Sequence, residues 1–337
     1  MKKLKRIFAV FFCLLLAAGI LGGCGKAASS SAPAPSASQS GSKPLKIVTT
    51  IFPEYDWVRQ ILGERAKNVE LTMLLDNGVD LHSYQPTADD IIKISDCDLF
   101  LYVGGESDGW VEDALKEATN QNMKVINLLD VLGEQVKEEE VVEGMEGEEE
   151  EEADEEEGPE YDEHVWLSLK NAETLCSAIT DALEEIDPAN KDAYAANAAS
   201  YLEKLAALDG EYQTVVDNAA RKTVLFGDRF PFRYLADDYG LSYYAAFAGC
   251  SAETEASFET ISFLAGKVDE LGLPCVLTIE GAQHKIAETI VQNTAEKNQS
   301  ILTLDSMQST TSTDVANGTT YLSVMESNLD VLKQALN

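Results

Sequence analysis

The sequence predicts an α/β protein of two similar lobes, each with a mainly parallel sheet, joined by one long backbone helix. Three observations predict it: β-rich runs alternate with helical patterns in the first half, the same alternation returns in the second, and a long proline-free helical pattern lies between. In the first half the expected strands are 45–52, 69–74, 98–103 and 124–128, with helical spacing at 55–62, 87–94 and 110–118. In the second half, strands at 223–226, 242–247, 275–279 and 300–304 alternate with helices at 232–239, 257–270, 285–296 and 321–336. Between the halves, Tyr201, Leu205, Leu208, Tyr212, Val215 and Ala219 recur at four- and three-residue steps. A helix over 190–219 would run roughly 45 Å and brace both lobes.

The chain starts with Lys2, Lys3, Lys5 and Arg6, then an apolar run over 7–20 and Leu21-Gly22-Gly23-Cys24. This reads as a secretory signal over 1–23 with a lipoprotein-type cleavage box and Cys24 as the lipidated residue. The apolar run is short for a bilayer span, and an uncleaved anchor is the plainer alternative. Ser, Ala, Pro and Gly dominate the following residues, so 24–43 reads as a flexible tether. The remainder divides into an N-terminal lobe (44–189), the connecting helix (190–219) and a C-terminal lobe (220–337), enough chain for two cores.

The formal net charge is -34, and between Glu138 and Glu163 there are 17 acidic side chains and no basic one. The run 138–162 reads as a disordered or loosely ordered insertion, either a solvated linker or a field that concentrates cations. Such acidity disfavours nucleic acid and makes cations the expected company. No glycine-rich phosphate loop follows the first strand, where Thr50-Ile51-Phe52-Pro53 stands. Of six cysteines, Cys13 lies in the signal and Cys24 is the lipid site, leaving Cys97, Cys176, Cys250 and Cys275. The lack of Cys-x-x-Cys argues against a thiolate zinc site. A Cys250–Cys275 disulfide is expected, with buried free thiols as the alternative.

Three histidines occur, His82, His164 and His284. Ligands of open α/β sheets bind beyond the carboxyl ends of strands. His82 follows the strand 69–74 through a loop containing Gly78, Asp305 directly follows 300–304, and Asp228 and Glu280 follow the strands 223–226 and 275–279. Imidazole together with carboxylate suits zinc or manganese. A lone histidine is more often an ordinary hydrogen-bonded residue, so local sequence has to decide.

Gly78-Val79-Asp80-Leu81-His82-Ser83-Tyr84-Gln85-Pro86-Thr87 resembles a signature of the zinc- and manganese-binding substrate proteins of bacterial ABC importers, and Asp162-Glu163-His164-Val165-Trp166-Leu167 resembles their second signature. The resemblance continues through Asp187-Pro188-Ala189-Asn190, Tyr234-Leu235-Ala236 and Thr303-Leu304-Asp305-Ser306-Met307. It implies a four-ligand site in the interlobe cleft, with His82, His164 and Asp305 as three of the ligands. The remaining ligand, a histidine or glutamate five residues before the matching tyrosine, would fall on Arg229, which has no lone pair to offer. Asp228 could replace it, or Glu280 or His284 could complete the shell, while Arg229 pairs with a nearby carboxylate.

The resemblance further implies a monomeric, extracytoplasmic protein, tied to the cell membrane by its lipid, that binds zinc in preference to manganese and delivers it to an importer permease. It implies no enzyme. A secreted metallohydrolase using Glu280 as base lacks a His-Glu-x-x-His helix, and a metal-dependent surface adhesin has no dedicated receptor surface in the sequence.

Overall fold

Short runs make the first sheet, its two central strands largely buried on both faces, as parallel strands covered by helices require. β1 (Leu45–Thr49), β2 (Val69–Met73), β3 (Leu99–Tyr102) and β4 (Lys124–Asn127) pair in the order β2-β1-β3-β4, all parallel. The computed structural model describes residues 43–146, 160–251, 255–281 and 284–337. The expected signal, Cys24 and all of the tether but Lys43 lie outside them. Helices α1 (Phe52–Leu62), α2 (Ala88–Ser95), α3 (Val111–Lys116) and α4 (Leu128–Leu132) belong to this first lobe. At the start of α1, Glu54 reaches back to accept the Thr50 amide at 2.8 Å and the Ile51 amide at 3.4 Å, Pro53 lies in the first turn, and Gly63 closes the helix at φ 54°.

Two long helices follow. α5 (Leu169–Ile186) starts at Ser168, whose hydroxyl caps the Asn171 amide at 3.0 Å, and buries Leu169, Ala172, Leu175, Cys176, Ile179 and Leu183. The sequence reading assigns no element there, although these residues recur at helical steps. α6 (Lys191–Asp217) is the expected strut, about 40 Å long. It buries Tyr194, Ala198, Tyr201, Leu205, Leu208, Tyr212 and Val216.

The second lobe repeats the first. β5 (Thr223–Phe230), α7 (Arg233–Tyr239), β6 (Ser242–Ala248), α8 (Phe258–Leu271), β7 (Cys275–Thr278), α9 (Lys285–Asn293), β8 (Ser300–Thr303), α10 (Ser312–Ala316) and α11 (Tyr321–Ala335) give a parallel sheet of order β6-β5-β7-β8. The strand order is that of the first sheet, so β1/β3 and β5/β7 are equivalent switch points.

Instead of two separate cores, one core runs from Ile47 and Trp57 through α5 and α6 to Tyr321 and Leu336. A smaller cluster of Leu225, Phe247, Leu264, Val268, Val276 and Ile290 lies between the second sheet and α8 and α9. The cause is α11, which packs on α1 and α6 as well as β7 and β8. Its first residue Tyr321 donates its amide to Asp56 at 3.0 Å and its hydroxyl to the Trp166 carbonyl at 2.7 Å, and stacks edge-on against Trp57 at 5.2 Å.

Two expectations need correction. All four described cysteines are free. Cys275 opens β7 at one end of the parallel sheet, whereas Cys250 lies beyond the last residue of β6 at the other end, so no disulfide joins them. The acidic insertion is anchored at both ends. Glu139 donates to the Glu160 carbonyl at 2.9 Å, Glu140 pairs with Arg233 at 3.3 Å, and the Glu146 amide meets the Ala246 carbonyl at 3.0 Å. Residues 147–159 lie outside the described residues.

Burial pushes the Glu54 carboxyl up to about 8, reinforced by the nearby charge of Asp108 and opposed by the Thr50 and Ile51 amides. Between the ordinary 4.5 and about 8 the folded chain keeps this proton while the unfolded chain loses it. The folded state binds more protons across that window, so stability falls as pH rises through it. Glu54→Gln removes the titration, and its stability relative to wild type should improve by about 3 to 4 kcal/mol from about pH 5 to about pH 8. Urea unfolding at both pH values measures this, and a difference that does not change with pH would contradict a protonated Glu54.

Candidate metal centre

The same local device holds two histidines. In Asp80-Leu81-His82 and in Asp162-Glu163-His164 the aspartate Oδ1 accepts the histidine amide, at 3.0 and 2.9 Å. Each is followed by a 3-10 turn, Leu81–Ser83 and Val165–Leu167. An Asp side chain that binds the amide two residues on fixes such a turn without regular secondary structure. Buried Leu81 anchors the first turn, and buried Trp166, donating to the Ser306 carbonyl at 2.9 Å, anchors the second.

The rings point at each other, with His82 Nε2 3.2 Å from His164 Nε2. His164 is fully buried and the His82 side chain is 11% exposed. His164 Nδ1 lies 3.0 Å from Asp162 Oδ1. His82 Nδ1 lies 2.8 Å from Ser107 Oγ, and Glu163 Oε2 is at 3.4 Å, an ion-pair rather than a hydrogen-bond distance. Acceptors at both Nδ1 atoms assign the ring protons there. Both Nε2 lone pairs then face one small space, an arrangement that repels unless a cation or proton lies between.

Charge supports this network from beneath. Burial works against the Glu163 charge, but His82 and the Ser107 hydroxyl and amide outweigh it and hold the carboxyl below its ordinary value. Burial pushes Asp108 up to about 7, with Glu163 adding to the effect and the Gly104 amide opposing it. Gly105 sits at φ 80°, and a Cβ there would collide with Glu163 Oε1. At Gly249 a Cβ would lie 3.0 Å from the Phe230 carbonyl and 3.1 Å from His164 Nδ1, so any larger residue would have to push the ring or the carbonyl back by a few tenths of an ångström.

The next residue, Cys250, brings its sulfur into the group. Each residue of His82, His164 and Cys250 offers an atom within 4.8 Å of the others. The Cys250 amide donates to Glu139 Oε1 at 2.9 Å. Burial pushes the thiol strongly up, and the charges of Asp162 and Glu139 add to this. The strand-end rule would have found Cys250, which stands two residues beyond β6, but within the second lobe that rule is applied only to β5, β7 and β8, and this cysteine is given to a disulfide.

The remaining expected residues are engaged elsewhere. Glu280 accepts the Ser306 amide at 2.6 Å, its hydroxyl at 2.8 Å and the Gln308 amide at 2.9 Å, fixing the loop after β8. Asp305 accepts the Met307 amide at 2.7 Å, and burial together with Glu280 pushes it up to about 6. Asp228 accepts the Arg229 amide at 2.9 Å and the Ile279 amide at 3.3 Å. His284 precedes α9, and its buried Nδ1 has no hydrogen-bond partner among the described residues. None of these four joins the group of His82, His164 and Cys250 among the described residues. Arg229 pairs with Asp80 at 2.6 Å and donates to the Ser251 carbonyl at 3.3 Å. Burial would raise Asp80, but Arg229 and His82 hold it below its ordinary value.

Fold and site together define a two-lobed α/β protein with a metal-capable group between its lobes. The chain belongs to the family described as zinc-uptake complex component A, periplasmic (ZnuA), whose model matches residues 47–335. It is 34% identical over 294 residues to the zinc-binding lipoprotein AdcA of Streptococcus pneumoniae, covering 86% of this chain and 55% of that protein. The chain thus spans about half the length of such curated relatives. It is 31% identical to the high-affinity zinc uptake system protein ZnuA of Bacillus subtilis over 337 residues, 99% of this chain and 98% of the other. The zinc(II)-bound ZnuA-like domain of S. pneumoniae AdcA superposes with a TM-score of 0.67 at 30% identity, covering 87% of this chain and 99% of that one.

Gly105→Ala should displace Glu163 and through it His82, lowering zinc affinity by about ten- to a hundredfold, the range for losing an outer partner of a ligand. Gly133→Ala is the control, since Gly133 also has a positive φ but has nothing within 4 Å of an added Cβ. Equal affinity loss in both variants would assign the effect to backbone strain.

Proposed function

We propose that this chain captures zinc, in preference to manganese, outside the cytoplasm and hands it to the membrane permease of an ABC importer. The observation that carries the proposal is the 3.2 Å between two Nε2 atoms whose rings are held from the far side, at Nδ1, by Asp162 and by Ser107. A tetrahedral zinc with Zn–N of about 2.05 Å sets two ligand nitrogens about 3.3 Å apart, so the pair is already at bonding geometry. Family membership and the zinc-binding names of the relatives support the same cargo. Lipid attachment at Cys24 would hold the protein at the membrane, where released zinc meets the permease. No helix among the described residues is long and apolar enough to cross a membrane. The family's role is transport, which supports binding rather than turnover as the activity.

Calorimetric titration of the soluble fragment with zinc should give one site. His82→Ala and His164→Ala should each weaken it by roughly two orders of magnitude or more, and Asp162→Asn by about 10- to 100-fold through loss of the carboxylate charge behind His164 Nδ1. Wild-type affinity in both histidine variants would refute the reading.

A further inference from the structure

We propose that Cys250 is a direct ligand of the bound metal, so that the site is a two-imidazole, one-thiolate site that favours zinc over manganese. This rests on the metal reading of His82 and His164. It adds a residue that the family resemblance does not supply and that the expected ligand set does not contain.

Position argues first. Tetrahedral zinc with Zn–S of about 2.3 Å places the sulfur about 3.6 Å from each ligand nitrogen. The Cys250 sulfur is within 4.8 Å of both imidazoles, so an approach of about an ångström completes the geometry. Backbone argues second. Gly249 brings the end of β6 so close to His164 that a Cβ would stand only 3.1 Å from its Nδ1, and Glu139 holds the next amide, aiming the Cys250 side chain at the ring pair. Competition argues third. Cys250 is free, and Cys275 lies at the opposite end of the sheet. Finally, the neighbouring strand cannot serve. Arg229, paired in register with Phe247 of β6, has no lone pair and is turned to Asp80. The second lobe reaches the ion from β6 rather than from β5.

A thiolate is a soft donor that zinc and cobalt accept and that manganese, a harder ion, accepts poorly. Binding replaces the S–H proton with the metal, and the proton leaves to solvent.

Cobalt(II) substitution reads the sulfur directly. Wild-type protein loaded with cobalt should show a near-ultraviolet sulfur-to-cobalt charge-transfer band together with visible ligand-field bands. Cys250→Ser should lose the charge-transfer band and keep ligand-field absorption, while Cys275→Ser keeps both. Zinc affinity should fall by at least about tenfold in Cys250→Ser with manganese affinity nearly unchanged, narrowing the zinc preference. Thermal melts of the metal-free variants check that each is folded, and a folded Cys250→Ala should repeat the Cys250→Ser result. Histidine-dependent cobalt binding without the band in wild type, or a band that survives in Cys250→Ser, would overturn the thiolate assignment and leave the metal reading intact. Failure of wild type to bind cobalt or zinc at all would overturn both.

Discussion

Two imidazole nitrogens facing one another across 3.2 Å repel unless a proton or a cation lies between them, and the rest of the fold imposes that spacing. Each ring is gripped from behind, His164 by Asp162 and His82 by Ser107 and Glu163, and each backbone is set by an aspartate two residues earlier. The carboxylates doing this are themselves taken out of water, a cost that falls on Asp108 and Glu54 beneath them as well. An arrangement that is unfavourable when empty and favourable around a cation stores part of its binding energy in the folded chain.

Such a site needs a frame that resists relaxation. The single core threading α1, α5, α6 and α11 supplies it, because opening the lobes would break the Trp57–Tyr321 contact and the hydrogen bonds from Tyr321 to Asp56 and Trp166. Across the cleft, Arg229 holds Asp80, and with it the turn that carries His82. The Gln308 amide nitrogen, in the orientation its neighbours require, reaches the same carboxylate at 3.1 and 3.3 Å.

Much of this was legible before coordinates. The alternation of strand and helix patterns located all eight strands to within a few residues, because a parallel sheet buried on both faces leaves an apolar signature in each strand. The two histidines stood out through their surrounding motifs, and Arg229 was expected to find a carboxylate. Less visible was anything decided by which surfaces meet. The continuous core depends on α11 returning to the first lobe, a fact of tertiary packing that no local pattern encodes. Composition marked the acidic segment as unable to order itself, yet its first residues are ordered by partners elsewhere, Arg233, Tyr243 and the Cys250 amide. Cys250 was visible as a strand-end residue, but a chain with several cysteines outside the cytoplasm invites a disulfide reading, which diverted it.

The charge around the ion follows from the same placements. Arg229 puts a permanent cation at the edge of a cation site, and its pairing with Asp80 cancels that charge locally. Besides the proposed Cys250 thiolate, the charge available to balance a divalent ion stands one layer out, as Asp162 behind His164 Nδ1 and Glu163 beside His82 Nδ1. Carboxylates placed there make the imidazoles better donors without becoming ligands themselves. A hard ion such as manganese gains most from direct oxygen contacts, which this group does not offer, whereas zinc gains from strengthened nitrogen donors. Placing the carboxylates in the layer behind the imidazoles thus leaves nitrogen, rather than carboxylate oxygen, facing the ion.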